Sequence, residues 1–275
     1  MDLVEKVAVV TGAGSGIGQA LARGLAKEGM KLVLAGLDRD RLEATAEIVS
    51  DSGAECLCVR ADVSHLGDVQ GIAEKALARF GRIHVLCNNA GVGPFGTVGE
   101  TSIQDWQCVL SVNLWGAIHG VHVFLPIMEK QGWGHICSTA SESGLYGTGF
   151  LAAYNVSKLG VVGLMQCLAR DLRASGSPVT ASLFCPGAVK TAITDTARDE
   201  PPDARRLRVE SEATRGFRSM VAQAVANGMD PNQAAKVVIE GIKREQFWLF
   251  SHPHVPETAL RQATAMAQER VLIDL

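Results

Sequence analysis

The sequence predicts a doubly wound parallel α/β sheet with helices on both faces, and three observations carry that expectation. Short continuous apolar runs alternate with longer helical patterns along the whole chain. Strands buried on both faces read this way, without the in–out alternation of a half-solvated sheet. A glycine-rich turn, residues 11–18 (TGAGSGIG), joins the first apolar run to the first helical pattern. At 275 residues, 47% hydrophobic and 20% charged, the chain can bury a sizeable core as one Rossmann-like domain, residues 1–275.

The elements follow in order. Residues 6–11 (KVAVVT) read as a strand, 19–28 as a helix and 31–35 (KLVLA) as the second strand. Asp38 stands where it can cap a helix over 39–50. Residues 55–61, 83–87, 134–139, 179–185 and 247–250 are further strands, and 65–80, about 101–130, 152–174 and 232–244 are helices. Residues 194–230 break this rhythm: they are charge-rich, open on a Pro-Pro turn and then become amphipathic. An excursion after a strand's C-terminal end sits where such folds bind ligands, so it reads as a substrate lid, with a solvated surface excursion as the alternative. Residues 255–275 form a C-terminal tail that could cover a neighbouring subunit.

The bulk properties narrow the function. A net charge of −3, with no arginine stripe interleaved with aromatics, argues against nucleic acid as partner. Asp2, Glu5 and Lys6 interrupt what a secretory signal would need, and no unbroken apolar run approaches 18 residues, so no membrane span is expected. The longest run, 159–169, fits a buried helix. Seven cysteines without framework spacing predict free thiols and a reducing, cytoplasmic setting. Cys56 and Cys58 share one face of a strand and read as core thiols rather than a metal pair. His84, His119, His122, His252 and His254 form no ligand constellation, so no catalytic metal is expected.

Two motifs carry chemistry. The glycines at 12, 16 and 18 let the chain turn tightly and approach a pyrophosphate, which would then sit on the N-terminus of the helix that follows. A purely structural turn is the alternative. Tyr154 and Lys158 stand four apart on a predicted helix and share a face. An ammonium near a phenol favours the phenolate, so Tyr154 can serve as general base or acid. On spacing alone, a packing tyrosine and an exposed lysine would be the better readings.

Taken together, the motifs resemble those of the short-chain dehydrogenase/reductase family. The likeness covers about residues 5–250: the TGxxxGxG turn, Asn88–Gly91 (NNAG), Asn113 (SVN), Ser141, Tyr154 with Lys158, and Pro186-Gly187 (CPGAVKT) appear in the family's order. The resemblance implies a hydride transfer between NAD or NADP and a secondary alcohol or ketone. It implies Tyr154 as acid/base, Lys158 also holding the nicotinamide ribose, Ser141 bonding the substrate oxygen, and Asn113 holding a water that links Lys158 to solvent. It places coenzyme contacts at Gly12, Ser15, Gly16, Ile17, Gly18, Asp62, Val63, Asn89, Ala90, Gly91, Pro186, Gly187, Val189 and Thr191. Asp62 would meet the adenine amine; a strand-end cap is its rival reading. The helices at 101–130 and 152–174 would pair subunits in a homodimer or homotetramer. A fainter likeness, in residues 91–128 and 229–255, points to a branch with bacterial dehydrogenases of lignin-derived benzylic alcohols.

Coenzyme choice turns on the end of the second strand. NAD-binding members usually carry an acid there, which holds the ribose 2′-hydroxyl and repels a 2′-phosphate. Gly36 takes that position, followed by Leu37; Ser15 replaces the basic residue some NADP-binding members carry in the glycine loop. With no acid present and Arg39 able to reach a 2′-phosphate, the reading leans to NADP over NAD. The substrate wall is expected from Phe95, Ser143, Leu145, Tyr146, Phe150, Phe217 and Met220, largely apolar. A hydrophobic secondary alcohol or ketone, aromatic ones included, fits it; Arg198, Arg205, Arg206 and Arg208 in the excursion could add charge. An epimerase or dehydratase of the same fold and a non-catalytic coenzyme-binding protein are the competing readings.

Overall fold

The computed structural model describes residues 1–195 and 210–273. Seven parallel strands form one sheet in the order β3-β2-β1-β4-β5-β6-β7. They are β1 (Val7–Thr11), β2 (Lys31–Gly36), β3 (Cys56–Arg60), β4 (Val85–Asn88), β5 (Gly134–Thr139), β6 (Val179–Cys185) and β7 (Trp248–Phe250). Val9 of β1 faces Val33 on one side and Leu86 on the other. The strand order therefore reverses at β1, and a crevice opens there beyond the strands' C-terminal ends. Every residue of β1 and β4 is buried, which explains their unbroken apolar sequences.

Helices cover both faces. On one side lie α1 (Gly16–Lys27), α2 (Arg39–Ser50) and α8 (Pro231–Lys243). Leu21, Leu25, Leu42, Val238 and Ile242 pack there against Leu32, Leu34 and Phe184. On the other lie α3 (Leu66–Phe80), α5 (Gly116–Gln131) and α6 (Ala152–Ser175). Ile72, Phe124, Met128, Val161 and Met165 pack there against Val9, Leu86 and Ile136. Each such side chain, taken fully from water, contributes roughly 1.5–3 kcal/mol.

Several boundaries differ from the sequence reading for local reasons. Helix α1 starts at Gly16, inside the glycine turn, rather than at 19. Asp38 caps α2 as expected, its carboxylate accepting from the Arg41 N–H. The long helix expected near 101–130 is α4 (Ile103–Leu110), a π-helical turn (Ser111–Trp115) and α5. Ser102 and Asp105 form a capping box that starts α4. The run Ile103–Gln131 is apolar and long enough to cross a membrane by composition, yet Phe124 and Met128 are fully buried against the sheet. Cys56 and Cys58 are half-buried beneath α2, bonding its Ala46 and Leu42 carbonyls, rather than deep in the core.

Of the excursion at 194–230, residues 196–209, with Arg198, Arg205, Arg206 and Arg208, lie outside the described residues. The described part is α7 (Glu212–Ala226), N-capped by Ser211. The C-terminal helix α9 (His254–Gln268) starts as part of this chain's own fold, because Val255 is fully buried in the core.

Candidate active site

The crevice at the strand-order reversal is lined by the motifs the sequence singled out. Gly12 has φ +65° and Gly16 φ +54°, left-handed conformations that favour glycine. A Cβ on Gly12 would lie 2.9 Å from the Ala90 Cα, and one on Gly18 would run into the Gly12 carbonyl. The turn thus stays close to the backbone and delivers Ser15, the N-cap of α1, and half-buried Ile17 to the helix start. A cavity of about 400 Å³ opens beside it, bounded by Ser15, Gly16, Gln19, Lys190 and Thr191. A polyphosphate chain fits this cradle of backbone at a helix N-terminus.

The NNAG turn is braced from behind. The Thr11 hydroxyl accepts from the N–H groups of Asn89 (3.0 Å) and Ala90 (3.1 Å), while the Asn89 amide donates to the Thr11 carbonyl (3.1 Å). The Asn89 side chain therefore holds the floor of the crevice, and Gly91 presents an exposed backbone face. Val63 is buried, its carbonyl bonded to His119. The Asp62 carboxylate accepts from the backbone and hydroxyl of Ser64, which is the cap-like role that competed with adenine binding. Pro186 accepts from the Glu142 N–H, Gly187 donates to Ser251, and Val189 bridges to Met229. Thr191 packs where a Cβ on Gly16 would fall, 3.0 Å away. Arg39 pairs with Glu43 at 2.7 Å on an exposed face, and a Cβ on Gly36 would meet only Leu42, at 3.5 Å.

Four polar side chains converge on the other wall. Tyr154 and Lys158 come from the first two turns of α6, Ser141 from the turn after β5, and Asn113 from the π-helical turn. The Ser141 side chain lies close enough to the Tyr154 phenol to favour its ionised form. The Lys158 Nζ lies 5.6 Å from the Tyr154 ring centre and donates to the Thr139 carbonyl. Asn113 is buried; its Oδ1 accepts from Val92 (2.8 Å) and its Nδ2 donates to Val92 and Ser157. A Cβ on Gly91 would stand 3.2 Å from the Asn113 Oδ1 and 3.5 Å from the Lys158 Nζ, so glycine lets the NNAG turn sit against both. π-helical turns are rare and recur at functional sites, and this one aims Asn113 into the crevice.

The electrostatics correct one expectation. Burial pushes the Tyr154 phenol above its usual value, the Ser141 side chain pulls the other way, and the Glu142 carboxylate raises it further. Burial in turn lowers the Lys158 ammonium to about 8. Low dielectric penalises both charged forms at once.

The expected substrate wall is partly rearranged. Phe150 has a left-handed backbone, φ +62°, unusual for a non-glycine residue. It stacks on Phe217 of α7 at 5.0 Å, and Phe95 meets Phe217 edge-on at 6.3 Å. The Gly96 N–H bonds the Phe150 carbonyl, so these loops and α7 form one unit. Glu100 fastens the start of α7, accepting from the Ser211 N–H and the Thr214 hydroxyl. Buried Tyr146 spends its hydroxyl on Glu142 and so supports the wall, and buried Ser143 donates its backbone N–H to Ser141 Oγ. Three contributors had no sequence signal: Glu142, Glu100 and Ile193, which packs over Gly93 beside the Tyr154 ring. Among the described residues no group of three His, Cys, Asp or Glu side chains could hold a metal.

A doubly wound parallel sheet, with a glycine cradle and a Ser–Tyr–Lys–Asn cluster facing each other across its switch point, defines a dinucleotide-binding α/β protein. The chain belongs to the short-chain dehydrogenase/reductase family: the family's sequence model, described as short chain dehydrogenase, matches residues 6–202. A short-chain dehydrogenase/reductase from Burkholderia phymatum, solved in complex with NAD, superposes with a TM-score of 0.96 at 39% identity, covering 100% of this chain and 99% of that one. The CLA biosynthesis dehydrogenase/reductase of Lactiplantibacillus plantarum is 32% identical over 256 residues, 92% of this chain and 90% of that protein. The apo form of LigO from Sphingobium sp. strain SYK-6 matches at 28% identity and a TM-score of 0.81, over 98% of this chain and 90% of that one. The chain is thus a dehydrogenase/reductase of the nicotinamide-dependent kind.

Proposed function

We propose that this protein interconverts a hydrophobic secondary alcohol, aromatic ones included, and its ketone, with Tyr154 as acid/base. The observation that carries this reading is the convergence of Tyr154, Lys158, Ser141 and Asn113 on one wall of the crevice, with Lys158 Nζ 5.6 Å from the Tyr154 ring on the same helix face. When bound, the coenzyme accepts or donates the hydride, and the positive ring of its oxidised form favours the Tyr154 phenolate. Tyr154 takes the alcohol's proton in oxidation and returns it in reduction. Ser141 Oγ already accepts from Ser143, which leaves its own hydrogen to donate to the substrate oxygen as charge develops there. Lys158 spends one of three N–H donors on Thr139, leaving two for ribose hydroxyls. A cavity of about 10 Å³ behind Asn113, bounded also by Thr11, Asn88 and Thr139, has about the room one water needs. That supports Asn113 as keeper of a water in the proton path.

For the coenzyme, Gly36 and exposed Leu37 neither repel nor clamp a 2′-phosphate. Arg39, once released from Glu43, favours NADP; the NAD bound to the Burkholderia relative supports NAD. Exposed Trp115, Val156 and Leu159, on the π-helical turn and α6, support pairing into a homodimer or homotetramer. Seven free thiols support a cytoplasmic location. The testing experiment follows reduced-nicotinamide absorbance with NAD and NADP in parallel, across benzylic and aliphatic secondary alcohols. Turnover with a hydrophobic alcohol, lost in Tyr154→Phe, supports the reading; silence despite measured coenzyme binding sinks it.

A further inference from the structure

Glu142 directly follows Ser141 and opens the short 3₁₀ turn Glu142–Gly144. Its backbone is fixed, with the N–H on the Pro186 carbonyl and the carbonyl accepting from Leu145. Its side chain reaches two other parts of the molecule. Oε2 accepts from the Tyr146 hydroxyl at 3.0 Å and from His254 Nε2 at 3.2 Å. His254 is the first residue of α9, and the next residue, Val255, is buried in the core. Thr258, one turn further along α9, lies near enough to the Tyr146 phenol to favour its ionised form. Helix α9 is therefore plugged into the core by Val255 and tied to the Ser141 loop by His254.

We propose that Glu142 is a positioning residue for the Ser141–Tyr154 pair, its carboxylate clamping Tyr146 and His254 so that α9 braces the loop carrying Ser141. The proposal rests on the reading of Tyr154 as the acid/base. Glu142 also has an electrostatic effect. Its charge disfavours the Tyr154 phenolate, opposing the pull of the Ser141 side chain. The titratable groups facing Glu142 are Tyr146 on its own loop, Tyr154 on α6, and His252 and His254 at the start of α9. His252 and His254 lie 5.3 Å apart, ring to ring, and His252 packs against Gly187 of the Pro-Gly turn. The Glu142 charge thus adds to the burial that keeps the proton on Tyr154.

The chain has only two tyrosines, Tyr146 and Tyr154, which makes a direct test possible. Protein carrying carbon-13 at tyrosine Cζ gives two resonances, assigned with Tyr146→Phe and Tyr154→Phe. In Glu142→Gln the Tyr154 resonance is expected to titrate at lower pH than in the wild type, and the acid limb of kcat/KM for alcohol oxidation to move down with it. An unchanged Tyr154 titration in a folded Glu142→Gln protein overturns the electrostatic role. His254→Ala, at an exposed helix end, tests the brace separately. Amide exchange over residues 141–146 should quicken several-fold, and unchanged exchange overturns the brace. The titration and exchange need no turnover, so retained activity in Tyr154→Phe would sink the catalytic reading without touching these two results.

Discussion

The Lys158 Nζ donates to the Thr139 carbonyl at 2.9 Å, joining the second turn of α6 to the last residue of β5. The bond holds a buried ammonium at the mouth of the crevice without a carboxylate partner. A lysine held this way keeps its position while its other donors stay free. Lys158→Met should therefore lose coenzyme affinity as well as turnover. Tyr154→Phe should keep coenzyme affinity and lose about 100- to 10,000-fold in kcat, the usual range for a missing general acid/base. Fluorescence titration with reduced coenzyme, beside steady-state kinetics, separates the two effects.

The open end of β2 makes coenzyme choice adjustable. A side chain at position 36 would make only an ordinary contact with Leu42, so Gly36→Asp should fold normally. A carboxylate there should raise KM for NADP on the order of tenfold or more, about 1.4 kcal/mol, and spare NAD. Equal losses with both coenzymes would mean that the 2′ position lies elsewhere.

Stability should fall in mild acid because of His135. This residue is fully buried on β5, with Nδ1 on Thr180 and Nε2 on Ser182, and burial pushes it down to about 3. Above about pH 6.5 it is neutral in both folded and unfolded chains. Below that the unfolded chain binds a proton the native state refuses, so stability drops by about 1.4 kcal/mol per pH unit and levels off near pH 3. Urea unfolding at pH 7, 6 and 5 measures the slope. His135→Gln should remove this proton from it and leave the smaller window of His84, lowered to about 4 by burial.

Docking of α7 depends on Glu100. Hydrogen bonds from Ser211, Thr214 and Thr97 hold its carboxyl well below the usual range. A depressed carboxyl stabilises above its unfolded value and loses that contribution only as pH falls through the folded one, so docking should persist at pH 5. Glu100→Ala should raise substrate KM several-fold with little change in kcat, and Phe217→Ala should broaden the range of alcohols accepted. A kcat loss with unchanged KM would argue that α7 does not touch the substrate.

How much of this was legible in the sequence depended on how far each determinant reaches. Helix α2 starts where Asp38 places it, because a cap needs only its own next three residues. The strands of the inner sheet were visible because burial on both faces writes itself as unbroken apolar runs. The start of α1 was not, since its first turn is made of glycines that read as loop. The π-helical turn was hidden because its marker, Asn113, is fixed by Val92 and Ser157, distant in sequence. Tyr154 and Lys158 showed as a pair, but burial, which outweighs their mutual influence, has no local pattern. Glu142 carried no signal in the sequence, because its partner His254 is 112 residues away.

The bridge between Val189 and Met229, with Lys190 donating to the Met229 carbonyl, closes the neck of the segment that carries α7. The chain leaves and re-enters the sheet framework at nearly one point. A segment tied off at its neck is an exchangeable cassette: its length and composition can change while strand order and coenzyme cradle are inherited untouched. Variation in α7, beyond the cradle residues Lys190 and Thr191, is therefore expected to change the wall at Phe217 without re-solving the folding of the sheet.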